Sequence, residues 1–271
     1  MSVQEAADTD TDTASEAVLL HRDGSVLEVV FNRPHTRNAM NLDVLDGLSR
    51  AADLADADDG IRCLLVHGAG RHFSAGGDIN QAVAMDTESA ARQWIGAFQH
   101  MFMRIGGLRQ PVVAAIEGYA LGGGLEFALW CDLRVVAVGA RLGVPEPKIG
   151  VIPAGGGTQL LPRLLGRSAA TALLLTAEPI DGRRAYELGL AAELTDDGAA
   201  LAAGRRVAAH LATLAPLAVA GIKRAVRAEW MPLPDAMEVE RRLAAELFAT
   251  ADRREGMTAF LERRVPRFQG S

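Results

Sequence analysis

The chain has 271 residues and a formal net charge of −6. That length allows one large domain burying about 70–75% of its unfolded surface without a disulfide or metal staple, and the acidic balance offers no general attraction for nucleic acid. Cys63 and Cys131, the only cysteines, lie in apolar runs and read as reduced core thiols, and no run of about 18 uncharged apolar residues is present to span a membrane.

Residues 1–16 are acidic (Glu5, Asp8, Asp10, Asp12) and lack an apolar core, so a disordered lead-in is expected there. This segment has the pattern of neither a secretory signal nor an Arg-rich transit peptide, and with two reduced thiols the expected location is cytoplasmic.

From about residue 18 to 165, short apolar strands alternate with helical patterns. Val26–Phe31 is β-rich and stops at the turn signal Asn32-Arg33-Pro34. Asn41 then caps a helix with Leu42, Leu45, Leu48 and Ala52 at helical spacing. Ile61–Val66 reads as a buried strand leading into a Gly68–Asp78 loop. A helix over about 88–108 sets Trp94, Phe98, Met101 and Ile105 on one face, with core packing expected for two of the first three. Val112–Ile116 and Leu133–Val138 are further strands, separated by a helix over Gly122–Cys131 that is entered through glycines. This rhythm predicts a largely parallel α/β core with crossover helices. Beyond about 166, helical patterns run to the end, broken at Pro179, Gly189, Pro216, Pro232 and Pro234. There the stripe Leu243, Leu247, Phe248 and Ala251 reads as core.

The chemistry concentrates in three glycine runs. Gly76-Gly77, Gly122-Gly123-Gly124 and Gly155-Gly156-Gly157 can each aim bare amides at an anion. They match neither a dinucleotide fingerprint nor a P-loop, and no serine elbow is present. Glu126 stands nearly alone among Leu125, Phe127, Ala128, Leu129 and Trp130, where desolvation should raise its pKa towards neutrality. Glu146 precedes Pro147, which favours an extended backbone and a loop or strand end. Two proton-exchanging side chains beside anion-holding amides point to acid–base chemistry through an enolate. His72 is read as a strand-edge group rather than a base, Ser74 lacks triad partners, and Asp78 is expected to cap a turn or helix.

The chain resembles the enoyl-CoA hydratase/isomerase (crotonase) superfamily. The marks are Asn32-Arg33-Pro34 with Arg37-Asn38-Ala39-Met40, Phe73–Ile79, Gly118–Glu126, Cys131–Arg134, Pro145-Glu146, Gly155–Gln159 and Glu255–Arg264. The resemblance implies a spiral of β-β-α turns over 17–200 and a helical trimerisation region over 201–271, assembled as a homotrimer or homohexamer. It implies an acyl-CoA thioester as substrate, with no metal and no cofactor beyond the coenzyme A that the substrate carries. Gly77 and Gly123 match the oxyanion-hole amides, and Glu126 and Glu146 match the two hydratase glutamates. Arg37, Ala39, Ala75, Asp78 and Ile79 match positions around the coenzyme. With both acids present the expected reaction is hydration of a trans-2-enoyl-CoA to a 3-hydroxyacyl-CoA, in fatty-acid or related acyl-CoA degradation. A double-bond isomerase or a degradation-pathway CoA lyase is the alternative. Pro147, the order Ala154-Gly155-Gly156-Gly157 and the bulky Trp130 depart from the family pattern.

Overall fold

The computed structural model describes residues 16–271. The acidic lead-in expected over 1–16 lies outside these residues except for Glu16. The fold begins with a hairpin of β1 (Val18–Asp23) and β2 (Val26–Phe31), followed by α1 (Leu42–Ala57), whose first turn is closed by Val44 N donating to the Asn41 side chain. Then come β3 (Cys63–Gly68), the short α2 (Ile79–Ala82) and α3 (Glu88–Gly107). The next two segments repeat one plan. β4 (Val112–Ile116), β5 (Tyr119–Leu121) and α4 (Gly123–Trp130) make one turn. β6 (Leu133–Ala137), β7 (Arg141–Gly143) and α5 (Gly157–Leu165) make the next. After α6 (Arg167–Thr176) come β8 (Ile180–Asp181), α7 (Gly182–Glu187) and β9 (Glu193–Thr195). Four helices finish the chain: α8 (Ala200–Ala212), α9 (Pro216–Val226), α10 (Leu233–Phe248) and α11 (Ala251–Glu262).

A six-stranded sheet has the order β1-β2-β3-β4-β6-β9 and is parallel except at the β1–β2 hairpin. A smaller sheet, β5-β7-β8, lies beside it. Each β-β-α turn therefore places its first strand in the large sheet and its second in the small one, which is the spiral that the resemblance implied. The parallel strands are covered on both faces, so β2 and β4 are buried throughout and read as continuous apolar runs. α8 lies directly on the large sheet: a Cβ on Gly204 would meet the Ala115 Cβ at 2.9 Å and the Leu65 Cδ1 at 3.0 Å. This helix belongs to the core, and the helices standing away from the sheet begin at α9 rather than at 201.

Two expectations are corrected here. The region after 168 is not wholly helical, because β8 and β9 interrupt it and β9 completes the large sheet. They have two and three residues, too few to print a period on the sequence. The stripe on α10 is not core within this chain: Leu243 is buried, but Phe248 is 61% exposed. Nearby, Phe260 and Leu261 of α11 and Val265 beyond it are each more than 80% exposed. The carboxy-terminal helices are nonetheless tied to the core, since Lys223 on α9 reaches Asp132 Oδ2 at 2.5 Å and donates to the Gln110 carbonyl at 2.5 Å.

Candidate active site

The glycine loop after β3 meets the entrance of α4. Ala75 N donates to the Arg37 carbonyl (2.9 Å), Met40 N to the Gly76 carbonyl (2.7 Å) and Asp78 N to the Met40 carbonyl (2.8 Å). Buried Asn38 bridges the strand end, its side-chain amide donating to the Ala69 and His72 carbonyls, while Ser74 Oγ donates to the Asn38 carbonyl. Glycine is needed where the two segments touch. Gly76 has φ +107°, and a Cβ there would sit 2.9 Å from the Leu121 carbonyl oxygen. A Cβ on Gly123 would lie 3.4 Å from Gly77 N, so these two amides stand side by side. Among the described residues neither amide donates to an acceptor. Two bare N–H groups, one at a helix entrance, can hold an oxyanion.

Glu126 lies in the first turn of α4, only 3% exposed. Its Oε1 accepts hydrogen bonds from Gly155 N (2.7 Å) and Gly157 N (2.8 Å). The third glycine run thus spends its amides on Glu126 rather than on a ligand anion, as its sequence alone had allowed. Burial pushes the Glu126 carboxyl above the ordinary range, and these amides pull in the opposite direction.

Glu146 lies on the connection after β7, as a loop or strand end was expected, but it opens a short 3-10 turn, Glu146–Ile149, where Pro147 predicted extended backbone. Proline fits at the start of such a turn because no amide hydrogen is needed there. The Glu146 Oε1 faces Gly122, while its Oε2 is buried without a hydrogen-bond partner among the described residues. Burial is the largest influence and the charge of Glu126 adds to it, so the Glu146 carboxyl is pushed up to about 7. Glu146 thus lies against Gly122 at the entrance of α4, Glu126 stands in the first turn of the same helix, and the charge of Glu126 acts on Glu146.

Trp94 separates from its helix neighbours. Phe98 and Met101 are buried, as expected for two of the three, while the Trp94 ring lies 3.3 Å from where a Gly77 Cβ would be. It forms a wall beside Gly77. Asp78 caps α2 by accepting from Asn80 N and pairs with Arg33 at 2.9 Å. Arg37 is exposed over the Tyr119 ring, 5.8 Å from its centroid, and Ile79 is exposed. Ala39 and Ala75 are half-buried on the same loop segments. His72 stacks on Tyr119 and accepts from its backbone amide, a structural role consistent with its reading as a strand-edge group. Arg33, Asn38 and Trp130 were not singled out as site residues. They act through backbone carbonyls and an ion pair, which leave no spacing signal.

Bare backbone donors beside one buried acid, Glu126, and one half-buried acid, Glu146, make a site suited to acid–base chemistry on a carbonyl compound that passes through an enolate. The chain matches the family described as Enoyl-CoA hydratase/isomerase over residues 21–271 and belongs to it. It is 35% identical over 254 residues to the 2,3-dehydroadipyl-CoA hydratase of Escherichia coli K12, covering 93% of this chain and 98% of that protein. It is 36% identical over 260 residues to the crotonyl-CoA hydratase of Syntrophomonas wolfei, covering 94% and 98%. The crystal structure of an enoyl-CoA hydratase from Bacillus anthracis superposes with a TM-score of 0.90 at 31% identity, covering 94% of this chain and 100% of that one.

Proposed function

We infer that this chain is an enoyl-CoA hydratase, adding water across the 2,3 double bond of a trans-2-enoyl-CoA to give a 3-hydroxyacyl-CoA. The observation that carries the reading is that Glu126 and Glu146 both stand at the entrance of α4, beside the bare amides of Gly77 and Gly123. The hydratase names of its relatives support it. An isomerase needs one carboxyl to move a proton between carbons, whereas water addition employs both.

In this mechanism the thioester oxygen sits between the Gly77 and Gly123 amides. Glu126, fixed through Oε1, takes a proton from water as the water oxygen bonds to C3. The charge that develops on the thioester oxygen is held by the two amides, an effect worth about 2.7–4 kcal/mol per donor. The resulting enolate takes a proton at C2 from Glu146, whose pKa near neutrality suits donation. Passage of the proton from Glu126 to Glu146 restores the starting state.

Coenzyme A would lie along the loop carrying Arg37, Ala39, Ala75, Asp78 and Ile79, with Arg37 placed for a phosphate. The exposed apolar side chains of α10 and α11 support assembly as a homotrimer or homohexamer. Among the described residues no helix is long and apolar enough to cross a membrane. The test is crotonyl-CoA with purified protein, followed by mass: a gain of one water supports hydration, and conversion at unchanged mass supports the isomerase.

A further inference from the structure

Trp130 lies one helical turn after Glu126 on α4, so the two side chains leave the same helix face. Its indole Nε1 donates to the Gly155 carbonyl at 2.8 Å. The amide of that same residue donates to Glu126 Oε1 at 2.7 Å, and Gly157 N adds a second bond at 2.8 Å. One helix therefore carries both the carboxylate and the clamp on the loop that orients it.

That loop needs a clamp. Three consecutive glycines have no side chains to hold them and an unusually wide choice of backbone conformation. Gly156 sits at φ +125°, and a Cβ on it would meet the Trp130 Nε1 at 2.8 Å. Apart from the bonds to Glu126 itself, a further side-chain bond to this stretch comes from exposed Gln99, which donates to the Ala154 carbonyl at 2.7 Å and must compete with water. Space for the indole is provided from α3, where a Cβ on Gly106 would stand 3.1 Å from the Trp130 Cε3. A ring seated against glycines on two sides, with its one polar atom on Gly155, has been fitted to a position rather than used as filler.

We propose that Trp130 is a positioning residue for Glu126: its indole N–H locks the Gly155–Gly157 arc, and the arc's amides hold the carboxylate in line with the water it activates. The step at Glu126 rests on the hydratase reading, but the locking does not. Without the indole bond the amide bonds to Glu126 weaken and burial acts with less opposition, so the Glu126 carboxyl titrates higher. Among the described residues, Glu146 is the ionisable group whose charge interacts with it. From α3 come Phe102 and the uncharged Gln99, and from the start of α5 the Gly157 amide.

Two substitutions separate the N–H from the ring's bulk. Trp130→Phe keeps an aromatic ring and loses the donor. Trp130→His loses the benzo ring but keeps an Nε2–H at the same number of bonds from Cβ as the indole nitrogen. The Glu126 carboxyl is followed by 13C NMR in glutamate-labelled protein, assigned with Glu126→Gln, alongside crotonyl-CoA kinetics. For Trp130→Phe we expect the Glu126 titration to move up by about one pH unit and kcat to fall about tenfold with KM within about twofold, the scale of one hydrogen bond. Trp130→His should keep both values nearer those of the wild type. A wild-type-like titration in Trp130→Phe, or a larger disturbance in Trp130→His than in Trp130→Phe, would overturn the proposal in favour of plain packing. Should the wild-type protein hydrate no enoyl-CoA, the hydratase reading falls, while the carboxyl titration still decides the role of Trp130.

Discussion

Gly122 lies directly against the Glu146 carboxylate: a Cβ built on the glycine would stand 2.9 Å from Oε1. The same residue has φ +50° and ψ −128°, a conformation essentially reserved for glycine. Gly122→Ala is therefore expected to displace the acid and strain the entrance of α4 together. Hydration of crotonyl-CoA should drop by about 10²-fold or more, with stability reduced by about 1–3 kcal/mol. Steady-state kinetics and urea unfolding measure the two effects separately.

Removing either acid should damage the reaction more than binding. Glu126→Gln and Glu146→Gln keep side-chain size, so kcat should fall by about 10²–10⁴-fold with KM altered only slightly. Full activity in both variants would refute the hydratase assignment.

Glu146 also makes a pH prediction for stability. Its folded pKa of about 7 lies above the ordinary 4.5, so the contribution it makes when protonated is complete below pH 4.5 and disappears as pH rises through 7. Glu146→Gln should match the wild type near pH 4.5 and exceed its stability at pH 8 by on the order of 2–3 kcal/mol. Denaturant unfolding at the two pH values reads this difference. The wild-type hydration rate should in turn decline above about pH 7, where the C2 proton donor is lost.

The Trp94 ring stands against Gly77, where on the hydratase reading it would bound the acyl chain. Trp94→Ala should open that wall and raise kcat/KM for a ten-carbon enoyl-CoA relative to crotonyl-CoA by about tenfold, the usual scale for pocket volume. A substrate series by chain length gives the ratio directly.

Phe260 and Leu261 are more than 80% exposed at the end of the chain, an expensive arrangement for a lone subunit. Replacing both with Asp should convert an assembled species to monomer in light scattering after size exclusion. An unchanged mass would remove this face from the interface.

The large sheet was legible because β2, β3, β4 and β6 are long apolar runs punctuated by glycine and proline. The small sheet was not: β5, β7 and β8 have two or three residues each and owe their pairing to the turns of the spiral. Glu126 announced itself as one charge in an apolar helix. That Glu146 approaches it could not be read from either neighbourhood, because the meeting runs through Gly122 and a 3-10 turn. Family resemblance supplied that pairing. The use of Gly155 and Gly157 as donors to Glu126 was hidden for a different reason, since backbone amides look alike whether they face a ligand or a neighbouring side chain.

Lys223 delivers a cation from α9 to Asp132, immediately before β6 of the large sheet. Were the last helices to peel away, Asp132 would lose its counter-ion and the Gln110 carbonyl its donor. Fraying of these last helices is thus coupled to the sheet, and a protease should encounter one cooperative unit instead of a removable tail.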